Sequence, residues 1–159
     1  RVYTNTDVIG VELAGAMKNI IAIGAGICDG LGFGNNTKAA FITRGLAEMT
    51  RLAVAAGGVM QTFSGLAGIG DLLATCYSPL SRNRMVGEEL ATGRKLDEAT
   101  LALGGQVAEG VTTTSAAVGL ARKLGVDIPI IATTEQILFG GLSLDGAVQQ
   151  LMGRPPGAE

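Results

Sequence analysis

The sequence predicts an all-α fold of several closely packed helices, and three observations lead there. Apolar residues make up 47% of the chain but aromatics only 4%, so the apolar mass is chiefly Ala, Leu, Ile and Val, which suits tight helix packing. Small residues recur at helical spacing, as in Ala14, Ala22 and Ala25 around Lys18. The one β-favouring scrap, Arg1-Val2-Tyr3-Thr4, has no second strand nearby to pair with and reads as the end of a preceding segment. At 159 residues one domain with a substantial core is expected.

The elements follow from their start and stop residues. Asp7 is expected to cap a first helix running to about Cys28, with Ala14, Lys18, Ala22 and Ala25 on one face of small residues around a single amine. Asp29-Gly30-Leu31-Gly32-Phe33-Gly34 breaks it, and Asn35 or Asn36 starts a second helix that ends at Gly57-Gly58 and carries Arg44 and Glu48 as an i,i+4 pair. Residues 58–70 are Gly-rich and aperiodic, which reads as a long loop leading to Asp71 as the cap of a short helix. Pro79 stops that helix, and Ser81 caps the next one, which runs through Met85 and Leu90 to Gly93. Asp97 opens a brief helix, and residues 104–110 form a loop. Thr112 or Thr113 caps a helix to Gly125, Pro129 begins one reaching Gly140, and Ser143 caps a last one before Gly153. Residues 153–159 are expected to form a flexible tail.

Composition narrows the function. Twelve basic against fourteen acidic residues give a net charge of −2, which offers no broad attraction to nucleic acid or to an anionic membrane. The mean hydropathy of +0.38 raises the question of a membrane span over Val8 to Cys28, but Glu12, Lys18 and several glycines interrupt that stretch, so a buried helix is expected. Cys28 and Cys76 lack any metal-ligand spacing and read as buried reduced thiols of a cytoplasmic protein. The chain contains no histidine, so proton chemistry must fall to lysine, a carboxylate or tyrosine.

The candidate site residues cluster in three places. Ser81-Arg82-Asn83-Arg84 opens a helix, where unpaired N–H groups, a positive dipole end and a guanidinium fork together suit phosphate or carboxylate. A capped helix with solvated arginines fits the same residues. Asp71 and Thr75 share a helical face and can address one polar ligand or orient a lysine amine, although a plain cap before a core helix is equally consistent. Lys18 sits mid-helix among alanines as a candidate acid–base amine, its alternative being a side chain that snorkels to water. Gly24 and Gly26 lie inside a helical run, and Asp29 stands where a dinucleotide fingerprint needs Gly or Ala. Gly30, Gly32 and Gly34 lack the lysine of a P-loop and read as a tight interhelical turn.

Four ordered motifs are similar to those of one family: Asp7-Val8-Ile9-Gly10-Val11-Glu12-Leu13 continuing to Lys18-Asn19; Asn36-Thr37 with Thr43-Arg44-Gly45-Leu46 and Glu48-Met49; Gly68, Gly70, Asp71 and Leu72 with Thr75-Cys76; and Ser81-Arg82-Asn83. From Tyr3 nearly to Met152 the chain resembles the C-terminal domain of the bacterial-type NAD(P)-dependent glycerol-3-phosphate dehydrogenases. The resemblance implies an all-α domain like the C-terminal domain of 6-phosphogluconate dehydrogenase-like enzymes, with 1–6 as the remnant of a preceding Rossmann domain or linker and 7–152 as the substrate-binding domain. It implies Lys18 as the catalytic proton acceptor for the C2 hydroxyl of glycerol 3-phosphate, with Asn19, Asp71, Thr75, Ser81, Arg82 and Asn83 contacting substrate. Arg82, Val107 and Glu109 would contact the cofactor, NAD or NADP, and no metal is implied.

On this reading the chain is a cytoplasmic fragment serving glycerophospholipid synthesis, and it is inactive without its N-terminal Rossmann domain. Its partners would be that domain and a small phosphorylated substrate; a homodimer stays open, and nucleic acid and a membrane span are not expected. The alternatives are the helical domain of a related hydroxy-acid dehydrogenase and a non-catalytic helical interaction module.

Overall fold

The computed structural model describes residues 1–155; the last residues of the expected tail, 156–159, lie outside the described residues. Among the described residues there are eight α-helices and no strand: α1 (Val8–Gly30), α2 (Asn35–Ala55), α3 (Asp71–Tyr77), α4 (Arg82–Ala91), α5 (Leu96–Leu101), α6 (Glu109–Leu124), α7 (Pro129–Phe139) and α8 (Leu144–Met152). The all-α expectation holds. The long helix α1 is the hub, and α2, α3, α4, α6 and α7 all pack against it.

The small residues of α1 explain how so many neighbours fit. A Cβ on Gly26 would stand 1.9 Å from the carbonyl oxygen of Arg84, and one on Gly87 would stand 1.9 Å from that of Ile23, so α1 and α4 cross backbone against backbone. Around this crossing Ile23, Ile27, Val86, Leu90, Ala99 and Leu138 form one apolar cluster. On the other side Met17, Ile20, Ile21, Leu52, Phe63, Leu72 and Ile131 form the main core. Although α1 is long and apolar enough to cross a membrane, half of its most apolar stretch is buried inside this fold, which makes it the central core helix. Gly24 and Gly26 lie within α1, and Gly32 takes a φ of +71° in the turn after it, both as the sequence indicated.

Most boundaries follow the local chemistry. Asp7 caps α1 by accepting from the Gly10 N–H at 2.9 Å, and its other carboxylate oxygen accepts from Thr62 Oγ1 at 2.6 Å and from the Val59 N–H at 2.9 Å. These bonds, the one from Thr62 foremost, hold the Asp7 carboxyl below its ordinary range. Ser81 caps α4 and Ser143 caps α8 by accepting from Arg84 and Gly146 N–H groups, Pro129 opens α7, and Gly125 ends α6 at a φ of 66°. Gly153 closes α8, and Arg154 after it pairs with Asp127.

Four expectations need correction. Residues 58–70 are not one long loop: Met60–Ser64 forms a 3₁₀ turn and Leu66–Gly70 a π turn. Asp71 is therefore not a cap, because Gly70 already has helical φ and ψ and α3 continues out of the π turn. Thr112 and Thr113 do not cap α6, which starts at Glu109; their hydroxyls donate back to the Glu109 carbonyl at 3.2 and 2.7 Å. Glu48 does not pair with Arg44. It is 2% exposed and accepts from the Ile130 and Ile131 N–H groups at 2.8 and 3.1 Å, capping α7 from α2. Burial pushes its carboxyl up to about 7 against the opposing pull of those two donors.

Candidate active site

The site is assembled where α1, α3, α4 and α6 meet. Lys18, midway along α1, donates from Nζ to Asp71 Oδ2 at 2.5 Å, with the two side chains 21% and 41% exposed. Asp71 reaches that position because the π turn presents it as the first residue of α3. Within the turn, a Cβ on Gly68 would fall 2.3 Å from both the Cα and the carbonyl oxygen of Phe63, so only glycine allows the chain to fold so tightly beneath Asp71. Its neighbours Ala14, Ala22 and Ala25 on α1 are buried, which leaves Lys18 as the polar member of that face. Thr75 donates to the Asp71 carbonyl at 2.7 Å, so its hydroxyl keeps its lone pairs free to accept from a ligand.

Beside this pair lies a cleft of about 360 Å³ whose lining includes Asn19 of α1, Thr75 of α3, Ser81, Arg82 and Asn83 at the start of α4, and Glu109 at the start of α6. The cleft adjoins Lys18 and Asp71 through their neighbours Asn19 and Thr75. The N-terminus of α4 opens on it, where Ser81 Oγ satisfies one orphan donor and Arg82 adds a guanidinium. Arg82 Nη2 is 2.9 Å from Glu109 Oε1, and both side chains are about half exposed. Val107, with its side chain largely exposed, precedes α6 outside the cleft lining.

Asn83 is 4% exposed and ties three helices together. Its Oδ1 accepts from the Gly110 N–H at 2.8 Å, its Nδ2 donates to Asn19 Oδ1 at 3.0 Å, and Asn19 in turn donates to the Gly15 carbonyl at 3.2 Å. The amides of Asn19 and Asn83 thus fix the spacing of α1, α4 and α6 around the cleft. A Cβ on Gly110 would stand 2.6 Å from the Asn19 carbonyl oxygen, so this glycine is part of the same junction.

Sequence reasoning missed several supporting residues. Arg84 is not a solvated arginine: its Nε is 2.8 Å from Asp29 Oδ2 and its Nη2 is 2.8 Å from Glu88 Oε1. The same Asp29 oxygen lies 2.7 Å from Nζ of the buried Lys38, whose ammonium sits 4.3 Å from the centre of the Tyr77 ring. This cluster pins the first turn of α4 to the end of α1, and so fixes the root of Arg82. Ser78 and Leu80 line the cleft without having been singled out; the Ser78-Pro79 pair was the available signal. Cys28 and Cys76 are free and buried, and burial pushes their thiols up to about 11 and about 12, which leaves them inert at neutral pH. No group of side chains able to hold a metal ion occurs among the described residues.

Comparison with known proteins gives the family of the chain and of its fold. Residues 7–149 match the family described as NAD-dependent glycerol-3-phosphate dehydrogenase C-terminus. A glycerol-3-phosphate dehydrogenase [NAD(P)+] from Koribacter versatilis is 58% identical over 159 residues, which is 100% of this chain and 47% of that protein. The crystal structure of a glycerol-3-phosphate dehydrogenase from Coxiella burnetii superposes with a TM-score of 0.92 at 47% identity, over 97% of this chain and 47% of its own. One from Saccharomyces cerevisiae gives 0.83 at 31% identity, over 91% and 42%. The chain therefore spans about half the length of these relatives.

Proposed function

The chain belongs to the NAD-dependent glycerol-3-phosphate dehydrogenase C-terminal family, and from that premise we propose that it forms the substrate half of an active site interconverting sn-glycerol 3-phosphate and dihydroxyacetone phosphate. The other half would come from a dinucleotide-binding Rossmann domain, to which we assign the part of the relatives' length that this chain does not span. NAD or NADP, when bound, supplies the hydride acceptor for C2, and Arg82, Val107 and Glu109 are the residues of this chain assigned to hold it. The start of α4 suits such a phosphate-bearing group, since Ser81, Arg82 and Asn83 there line the cleft, Arg82 adds a guanidinium, and the first N–H groups of a helix favour anions.

The observation that carries the reading is the 2.5 Å contact between Lys18 and Asp71 beside a cleft bearing Arg82 at a helix N-terminus. Lys18 Nζ, as the uncharged amine, takes the proton of the C2 hydroxyl onto its lone pair during oxidation, and as the ammonium returns it during reduction. Asp71 holds the amine in place, so the proton acceptor needs no reorientation as the reaction proceeds. Arg82 and the first N–H groups of α4 hold the phosphate, while Thr75 and Asn19 address the polyol. The substrate's charged end is thereby fixed at a distance from the reacting carbon, and its binding energy is spent on orientation. The product would feed glycerophospholipid synthesis.

A substrate screen on the two-domain enzyme tests this. Glycerol 3-phosphate should be oxidised with NAD or NADP while β-hydroxy acids are not. Turnover of hydroxy acids without turnover of glycerol 3-phosphate would contradict it.

A further inference from the structure

We propose that Glu109 is a specificity-determining residue that competes with the substrate phosphate for Arg82, so that the carboxylate at the start of α6 sets how tightly the cleft takes a phosphorylated ligand. The inference rests on the phosphate role given to Arg82 above. Arg82 and Glu109 are each the first residue of their helix, and the two N-termini face one cleft. Arg82 Nη2 stands 2.9 Å from Glu109 Oε1, a direct charge-assisted bond between two residues that both line the cleft.

A phosphate engaging Arg82 and the α4 N-terminus there meets the Glu109 carboxylate at close range. Two anions sharing one guanidinium repel, so Glu109 must yield some or all of its hold as the phosphate enters. Because the pair is half exposed, breaking it costs little, and the competition amounts to a factor of about two to five rather than a block. The remaining cations near α4 do not relieve it: Arg84 is committed to Asp29 and Glu88, and Lys38 to Asp29. Arg82 is the cation at the cleft for which substrate and protein compete.

The test uses the two-domain enzyme and its Glu109→Gln variant, with inorganic phosphate as a competitive inhibitor and glycerol 3-phosphate as substrate. The expected result is that Glu109→Gln lowers both the inhibition constant of inorganic phosphate and KM for glycerol 3-phosphate by about two- to fivefold. Unchanged or raised values for phosphate would overturn the proposal and make Glu109 a support for Arg82, and a change confined to KM for the nicotinamide cofactor would overturn it equally. A parallel Arg82→Ala variant separates this from the reading beneath it. If Arg82→Ala weakens phosphate binding while Glu109→Gln does not strengthen it, only the competition fails; if Arg82→Ala changes neither constant, the phosphate role of Arg82 fails as well.

Discussion

Lys18 on α1 and Asp71 on α3 are separated by 53 positions in sequence and by 2.5 Å in space. The contact depends on the π turn before α3 and on the tight backbone approach at Gly68, so a feature of the fold with no charge of its own determines where the amine points.

That dependence makes Asp71 a positioning residue. In the two-domain enzyme, Asp71→Asn is expected to lower kcat by about 10- to 100-fold, the size expected when a reacting group loses its fixed orientation. KM for glycerol 3-phosphate should change far less. Steady-state kinetics check this, and a raised KM with kcat intact would make Asp71 a binding group instead.

The crossing of α1 and α4 yields a prediction about stability. Gly87→Ala forces a methyl group against the Ile23 carbonyl, which neither helix can move away, and should destabilise by about 3 kcal/mol or more. Gly15→Ala is the control. A Cβ there meets nothing within 4 Å, so the better helix former should leave stability unchanged or raise it by up to about 1 kcal/mol. Urea unfolding of the two variants distinguishes them, and equal effects would contradict the close crossing.

Glu48 gives a pH dependence. Its folded carboxyl sits at about 7 against an ordinary 4.5, with burial as the main cause, so the native state binds this proton more tightly than the unfolded chain does. Its contribution to stability is fully present below pH 4.5 and is lost as pH rises through about 7, a loss on the order of 3 kcal/mol at most. Asp7 acts in the opposite sense and in a lower window, since its depressed carboxyl supplies stability above 3.8 that is lost as pH falls. Glu48→Gln should flatten the slope between pH 4.5 and 7 in thermal unfolding. A slope that persists in the variant would assign it to other groups.

The legible parts of this fold were those decided by neighbouring residues. Asp7, Ser81 and Ser143 cap helices three residues from the N–H groups they accept from, and Pro129 and Gly125 act through their own backbone. Asp71 has the residue type of a cap, yet the preceding π turn supplies helical backbone and frees its carboxylate for Lys18. Glu48 looked like half of an i,i+4 pair, but its donors are 82 and 83 positions away and a buried helix start outcompetes a surface arginine. The Asp29, Lys38 and Arg84 cluster joins three helices, so no local spacing announces it. Within the site, the motifs placed Asn19, Thr75, Ser81, Arg82, Asn83 and Glu109 on one cleft, but not which of them are occupied in tying helices together.

Whether Lys18 moves the proton of the C2 hydroxyl is decided by kcat for glycerol 3-phosphate oxidation by the two-domain enzyme carrying Lys18→Ala, followed across pH. The expected result is a fall in kcat of about 10²- to 10⁴-fold with a smaller change in KM, because an acid–base group acts chiefly in the transition state. A variant that keeps the wild-type kcat at every pH would contradict it and leave Lys18 as a structural partner of Asp71.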